Sequence, residues 1–137
     1  MIKYVVSACL AGCNCRYDGK NTANEEIQQL IKDGTAIALC PEQMGGFSTP
    51  RTPFELVGDR AYRVDGVDIT ERMGFGVEEG ARLVEMAGCT HAILKSRSPS
   101  CGVGTIYDGS FSSETIDGNG LFAQKLINMG LSVSCTD

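Results

Sequence analysis

Three of the seven cysteines follow short apolar segments, at the point where each segment gives way to a loop. Cys9 and Cys40 come directly after such segments (residues 2–8 and 36–39), and Cys101 lies a few residues beyond a third. If the segments are neighbouring parallel strands, their carboxyl ends meet at one edge of a sheet and bring the three sulfurs together. Thiolates are ligands for zinc and for iron–sulfur clusters. The cysteine positions therefore predict a metal site.

The spacing of the other candidate ligands narrows the kind of metal site. Cys13 and Cys15 are separated by one residue, the chain has no CxxC pair, and the only histidine, His91, is predicted to begin a strand. A zinc ribbon, a His/Cys zinc site and a thioredoxin-like pair are therefore disfavoured. A cubane iron–sulfur cluster on three thiolates remains, with Cys15 or Cys13 as a candidate further ligand. Three protein ligands would leave one iron open for Lewis-acid chemistry.

The two remaining cysteines, Cys89 and Cys135, lie at a predicted helix end and near the C-terminus. We interpret both as small buried hydrophobic residues.

Polar residues beside the cysteine loops are candidates for acid–base work. Glu42 lies two residues after Cys40, where a carboxylate can transfer a proton near neutral pH or simply cap the next turn. Ser98 and Ser100 precede Cys101, and a hydroxyl there can orient a substrate or bond to its own loop.

Several basic residues lie near the cysteine loops although the net charge of the chain is negative. The formal charge of −5 argues against general binding to a nucleic-acid backbone, which needs a basic face. Five basic residues nevertheless lie close in sequence to the cysteine loops, and they indicate a positively charged mouth or ordinary solvated charge. These five are Arg16, Lys20, Arg51, Lys95 and Arg97. The candidate substrate-binding residues, suited to a planar heterocycle or a phosphate, are Arg16, Tyr17, Asp18, Lys20, Arg51 and Lys95.

The elements that must position these residues follow from periodicity and from capping signals. We predict strands at residues 2–8, 35–39, 90–95 and 131–134, a β-hairpin within 55–69, and loops at 41–53 and 96–118. Three helices are predicted: one capped by Thr22, one capped by Thr70 and reaching about Ala87, and one from Leu121 to Met129. This order predicts a single domain, residues 1–137, with a Rossmann-like three-layer α/β fold. Its mostly parallel sheet has about four strands, with helices on both faces and a small hairpin insertion.

The sequence also indicates a compartment. It shows neither a signal peptide nor an apolar stretch long enough for a membrane, so we expect a cytoplasmic protein. Cysteines there are more naturally metal ligands, catalytic thiols or core residues than disulfides. The sequence leaves a homodimer open.

Several short motifs, in the same order along nearly the whole chain, resemble the thiouracil desulfidase family, formerly called domain of unknown function 523. The individual motifs are short, but their combination is specific. They are Ser-Ala-Cys-Leu at 7–10, Asn-Cys-Arg-Tyr-Asp-Gly-Lys at 14–20, Cys-Pro-Glu-Gln at 40–43 with Gly45-Gly46, Pro-Arg-Thr-Pro at 50–53, Lys-Ser-Arg-Ser-Pro-Ser-Cys-Gly at 95–102 and Ile-Tyr-Asp-Gly at 106–109.

The resemblance implies a [4Fe-4S] enzyme that removes sulfur from a thiolated uracil base or nucleotide without net redox chemistry. It implies Cys9, Cys40 and Cys101 as cluster ligands and an open iron that takes the substrate sulfur. It further implies Glu42 as the proton-transfer group and Ser98 as its partner. Cys13 stands where a non-cysteine residue is expected and adds a thiol near the site. The alternative is a non-catalytic module that binds zinc or a fully ligated cluster.

Overall fold

The structure, a computed structural model, describes residues 1–137 and contains eight strands and four helices. In chain order these are β1 (Tyr4–Ser7), α1 (Glu25–Lys32), β2 (Ala36–Leu39), α2 (Pro41–Met44), β3 (Phe54–Val57), β4 (Arg60–Arg63), α3 (Thr70–Ala87), β5 (His91–Lys95), β6 (Thr105–Tyr107), β7 (Thr115–Asp117), α4 (Leu121–Asn128) and β8 (Ser132–Thr136). A 3₁₀ turn, Ala8–Ala11, follows β1 directly.

The central sheet has four parallel strands in the order β2-β1-β5-β8. Successive side chains of β1 point to opposite faces, so Val5 belongs to one hydrophobic cluster and Val6 to another. Helices cover both faces: Ile27 of α1 packs in the cluster of Val6, while Met73 of α3 and Phe122 of α4 pack in that of Val5. The predicted three-layer α/β architecture is confirmed.

The strand order creates a crevice between β1 and β5. The chain moves from β1 to β2 in one direction and then returns past β1 to β5, so successive right-handed crossovers place α1 and α3 on opposite faces. Ligands of such sheets bind where the order reverses, beyond the carboxyl ends of the strands. At that edge the backbone N–H of Lys95 donates to Ser7 Oγ over 2.9 Å, which fixes the ends of β1 and β5 against each other.

Two antiparallel hairpins stand outside the central sheet. The β3–β4 hairpin, which turns at Gly58 with φ 62°, is the predicted insertion. The β6–β7 hairpin was not predicted, because residues 96–118 read as a Gly/Ser-rich loop and Thr115–Asp117 is an exposed strand of three residues. Helix α2 was also missed, since four residues are too few to show a helical period.

The capping residues differ from those predicted. Asn24, not Thr22, caps α1, with its side chain accepting from the backbone N–H groups of Glu26 and Ile27. Thr70 is the first residue of α3 rather than its cap, and its hydroxyl accepts from Ala61 N–H in the hairpin. Asn24 is the residue directly before the first turn of α1, and the Thr70 hydroxyl is engaged by Ala61 and Asp68 instead of the helix terminus.

A glycine of α3 positions α2. At Gly76 an added Cβ would lie 2.2 Å from the carbonyl oxygen of Pro41 and 2.7 Å from the backbone nitrogen of Gly45. The backbones of α2 and α3 are therefore in direct contact, and α3 holds the short helix that follows Cys40. None of the four helices combines the length and hydropathy that a membrane crossing needs.

Candidate metal centre

The three cysteines predicted to meet do line one cavity, of about 310 Å³. Cys9 lies in the 3₁₀ turn after β1, Cys40 lies between β2 and α2, and Cys101 lies in the loop after β5. The carboxyl ends of β1, β2 and β5 are adjacent in the sheet, which is why residues so distant in sequence share a cavity. Cys15 also lines it.

The loop after the 3₁₀ turn separates the two closely spaced cysteines. Gly12 adopts a left-handed conformation at φ 101°, and the backbone N–H of Cys13 returns to the carbonyl of Ala8. Cys15 consequently points inward and is buried, whereas Cys13 is exposed and does not line the cavity. Of the two candidates for a further ligand, the structure brings Cys15 alone to the other thiols.

The loop that carries Cys101 is fixed by its own hydrogen bonds. The Ser98 hydroxyl accepts from the backbone N–H groups of Ser100 and Cys101, both at 3.1 Å. The Ser98 carbonyl accepts from Gly102 N–H at 2.8 Å. Gly120, at the start of α4, closes the other side, since a Cβ there would lie 2.4 Å from the carbonyl carbon of Ser100. The orientation of Cys101 is thereby set by a rigid turn.

The four thiols that line the cavity have unequal acidities. The neighbouring thiols of Cys40 and Cys9 raise the pKa of Cys15 far above the ordinary value. The Cys15 thiol in turn, helped by the Thr22 hydroxyl and by the charges of Lys95 and Arg16, lowers the pKa of Cys9 to about 6. Cys15 likewise lowers the pKa of Cys40 to about 7. Burial raises the pKa of Cys101. Two of the predicted ligands therefore favour the thiolate, the form that binds metals.

Glu42 forms the centre of a polar network beside these thiols. Its Oε1 accepts from Nε of Arg51 at 2.8 Å, and its Oε2 accepts from the hydroxyl of Ser100 at 2.7 Å. The resemblance had paired Glu42 with Ser98, but the hydroxyl in contact is that of Ser100, because Ser98 is engaged within its own loop. A catalytic role for Ser98 stays a prediction. Ser98 lines the cavity, and Glu42 and Ser100 are next to lining residues, Pro41 and Cys101.

Four of the six candidate substrate-binding residues line the cavity: Arg16, Tyr17, Arg51 and Lys95. Asp18 and Lys20 do not, and they close a turn instead, with Lys20 N–H donating to Asp18 Oδ1 at 3.0 Å. Tyr107, which sequence reasoning did not single out as a binding residue, also lines the cavity.

The rim of the cavity carries a carboxylate that the sequence did not suggest. Asp137 Oδ1 lies 3.3 Å from Lys95 Nζ and 3.1 Å from Arg97 Nη2, and it also accepts from the hydroxyl of Ser96. Lys95, Ser96 and Arg97 all line the cavity. Four of the five basic residues noted in the sequence line the cavity, which favours a positively charged mouth over scattered surface charge. Asp137 partly neutralises this charge.

A larger groove of about 1100 Å³ lies on the side of the β3–β4 hairpin and contains no cysteine. Its arginines are engaged within the protein: Arg60 pairs with Asp68, Arg63 pairs with Asp65, and Arg72 donates to backbone carbonyls. Arg51 lines both this groove and the cysteine-lined cavity. The smaller cavity holds the reactive groups.

The whole chain is similar to proteins of one family. The family model described as 2-thiouracil desulfurase matches residues 4–137. The chain belongs to the 2-thiouracil desulfurase family. It is 39% identical over 139 residues to a protein of Bacillus subtilis (strain 168) described as uncharacterized protein YbbK, covering 94% of this chain and 92% of that one.

The chain is also similar to a solved structure whose name includes an iron–sulfur cofactor. It is the [4Fe-4S]-dependent thiouracil desulfidase TudS, which aligns with a TM-score of 0.94 at 37% identity. The alignment covers 100% of this chain and 92% of that one. The family suspected from the sequence motifs is confirmed.

The residues of this family member fit an iron–sulfur cluster. Two thiols of the cavity, those of Cys9 and Cys40, have lowered pKa values, and the buried hydroxyl of Thr22 contributes to the shift at Cys9. No three His, Cys, Asp or Glu side chains are placed to hold a single metal ion. Cysteines that hold a cubane lie around it, and Cys9, Cys40 and Cys101 lie on three separate segments around one cavity.

Proposed function

We propose that this protein is a [4Fe-4S]-dependent thiouracil desulfidase that converts a thiolated uracil and water into uracil and hydrogen sulfide. The observation that carries the proposal is the meeting of Cys9, Cys40 and Cys101 in one cavity at the carboxyl ends of three adjacent strands. Membership of the family and the name of its relative TudS support the same reaction.

Cys9, Cys40 and Cys101 would hold the cluster. A cluster held by three protein ligands supplies a Lewis acid for the thiocarbonyl sulfur. The aromatic rings of Tyr17 and Tyr107, both in the cavity wall, offer faces for a pyrimidine.

Glu42 is the proposed proton-transfer group. Each carboxylate oxygen has two lone pairs, and Arg51 and Ser100 use one on each, so Glu42 retains acceptor capacity for a water proton. That water adds to the carbon bonded to sulfur and supplies the oxygen of uracil. The C–S bond then breaks, and its electron pair leaves with the sulfur. Both water hydrogens end on the sulfide. One is taken up by Glu42 as the water adds and is passed on, we propose, through the cavity-lining hydroxyl of Ser98; the other leaves the new hydroxyl group as the carbonyl of uracil forms.

Anaerobic reconstitution with iron and sulfide tests the cofactor and the reaction together. We expect a brown protein with about four irons per chain and sulfide release from 2-thiouracil, 4-thiouracil or their nucleotides. A protein that carries the cluster but releases no sulfide from any of these compounds would exclude the reaction.

Glu42→Gln tests the proton transfer more sharply than Glu42→Ala. The glutamine can accept from Arg51 and donate to Ser100, so it preserves the network while it removes the base. We expect an intact cluster and a kcat lower by about 10²–10⁴-fold. Full turnover in Glu42→Gln would remove Glu42 from the mechanism.

The form of the substrate, base or nucleotide, is a finer part of the proposal. Lys95 and Arg97 at the cavity rim suit a phosphate, which favours a nucleotide. Comparing kcat/KM for a thiolated uracil and its ribonucleoside monophosphate decides this, with higher values for the monophosphate expected.

One observation favours the second candidate, a non-catalytic metal-binding module. Cys15 lies in the same cavity and contacts Cys9 and Cys40, so four thiols are available. A fully ligated cluster would leave no iron open to substrate. Metal content after anaerobic purification, read together with turnover, separates the two: a stoichiometric zinc or an inert cluster supports the module.

A further inference from the structure

A side-chain hydrogen bond between Glu42 and Ser100 joins parts of the chain that are far apart in sequence. Glu42 belongs to α2, directly after Cys40, while Ser100 directly precedes Cys101. Their hydrogen bond of 2.7 Å spans 58 residues of sequence. Ser100 is 1% exposed and the Glu42 side chain 14% exposed, so water competes little with this bond.

Arg51 extends the connection to the loop that carries Cys15. Its Nη2 donates to the carbonyl of Cys15 at 2.7 Å and lies 3.9 Å from Cys40 Sγ, while its Nε holds Glu42. The Arg51 side chain is 7% exposed, and its Nη1 donates to Thr49 Oγ1 at 3.0 Å. A single buried guanidinium therefore ties the Cys15 loop to α2.

We infer that Ser100 is a positioning residue of the metal centre. Through Glu42 and Arg51 it connects the segments that carry Cys101, Cys40 and Cys15. The inference rests on the proposed function, because it concerns the spacing of the proposed cluster ligands. A rigid cluster needs its ligands at fixed separations, and ligands on separate loops hold those separations only if the loops are connected to one another.

The contacts of the neighbouring serine show why Ser100 has this role. The Ser98 hydroxyl stabilises the turn internally, through the N–H groups of Ser100 and Cys101. It fixes the shape of the loop without joining it to α2. The Ser100 hydroxyl joins the loop to Glu42. The backbone carbonyl of Ser100 also accepts from Phe122 N–H at the start of α4. The turn can therefore keep its shape in a Ser100→Ala variant and still lose its register against α2.

The test compares Ser100→Ala with Ser134→Ala, in which a serine hydroxyl on β8 bonds only to the carbonyl of Ala92. Both variants and the unmodified protein are reconstituted anaerobically, and loss of cluster absorbance to excess iron chelator is followed well below the unfolding temperature. We expect Ser100→Ala to lose its cluster about tenfold faster, and Ser134→Ala to match the unmodified protein. Unfolding temperatures of the cluster-free proteins are measured in parallel.

A second pair of variants keeps the inference testable if Ser100→Ala folds poorly. Glu42→Gln preserves both side-chain bonds and should retain the cluster as long as the unmodified protein, whereas Glu42→Ala should lose it as fast as Ser100→Ala. Equal rates for all variants overturn the inference, as does a lower unfolding temperature for Ser100→Ala with an unchanged rate of cluster loss. A cluster that is held but supports no turnover overturns the proposed reaction instead and leaves these rate comparisons valid.

Discussion

The side-chain carboxylate of Asp137 lies 3.3 Å from the ammonium group of Lys95 at the rim of the cysteine-lined cavity. Contacts with Ser96 and Lys95, and the charge of Arg97, lower the pKa of Asp137, so it carries a negative charge at neutral pH. It therefore occupies a position that an anionic part of a substrate would take.

Asp137→Asn should improve the binding of a charged substrate. Removing the carboxylate frees Lys95 and Arg97, so we expect KM for a thiolated uridine monophosphate to fall about two- to fivefold while KM for the free base is unchanged. Steady-state kinetics with both substrates measure this. Asp117→Asn removes the same charge from the exposed strand β7 and is the control. An equal fall in KM for the free base would contradict the prediction.

Substitution of single cysteines should distinguish ligands from neighbours. Serine at position 9, 40 or 101 should leave the reconstituted protein with little cluster, because each removes one of three thiolates. Cys15→Ser should retain about four irons, as should the control Cys13→Ser, which alters an exposed thiol. Iron and sulfide analysis with visible absorbance gives the result. A cluster lost in Cys15→Ser and kept in Cys9→Ser would reassign the ligands.

Alkylation of the reduced, cluster-free protein should follow the unequal thiol acidities. Cys9 and Cys40 have lowered pKa values of about 6 and 7, so their thiolate fractions rise as the pH passes through this range. Cys15 and Cys101 have raised pKa values and stay protonated there. Peptide mapping after brief treatment with iodoacetamide between pH 5 and 9 should show the first pair modified well before the second. Cys15 modified first at low pH would refute this order.

The lowered pKa of Cys9 determines how the free energy of unfolding changes with pH. A thiol whose pKa is lower in the folded than in the unfolded state stabilises the fold at high pH, and this contribution is lost as pH falls through the folded-state value. The contribution of Cys9 to the free energy of unfolding is therefore lost progressively as the pH falls from 9.0, the ordinary thiol value, to about 6. Urea unfolding of cluster-free Cys9→Ser at several pH values should show a correspondingly smaller decrease.

Arg51→Lys should weaken the centre although it conserves the charge. A lysine can reach Glu42 or the carbonyl of Cys15, but it lacks the planar fork that serves both together with Thr49. We expect the free energy of unfolding to fall by ~1–3 kcal/mol. Urea unfolding measures it, with Arg82→Lys, an exposed residue of α3 with one weak ion pair, as the control. Unchanged stability would mean that the fork is dispensable.

Gly76→Ala should displace α2. Alanine normally stabilises a helix interior by ~1 kcal/mol relative to glycine, but its Cβ here would overlap the backbone of Pro41 and Gly45. Overpacking should reverse the sign and destabilise the protein by ~1–3 kcal/mol. Gly74→Ala on the same helix meets nothing within 4 Å and should be neutral or stabilising. Destabilisation of equal size in both variants would point to the helix rather than to its contact with α2.

The meeting of the three cysteines could be predicted because it depends on local signals. Cys9 and Cys40 each directly follow an apolar segment of strand length, and a helix with a clear apolar stripe lies between them. These features specify parallel strands, and parallel strands bring their carboxyl ends to one edge. The position of Cys101 then follows from the next strand.

The polar network could not be predicted in the same way. Ser98 and Ser100 occupy almost equivalent positions in sequence, and the choice between them depends on a turn in which the Ser98 hydroxyl is consumed by backbone N–H groups. The contact of Arg51 with Cys15 depends likewise on the path of two loops. Asp18 and Lys20 were predicted as binding residues although they form a turn, because turns and binding segments have similar compositions.

The arrangement of the sheet also constrains when the centre can be completed. Strand β1 lies between β2 and β5, and the proposed ligands Cys9 and Cys101 lie towards opposite ends of the chain. A nascent polypeptide has no complete set of thiols until β5 and the turn after it have been synthesised and have docked on β1. Insertion of the proposed cluster would therefore follow the folding of most of the chain, and before then the early cysteines are open to oxidation.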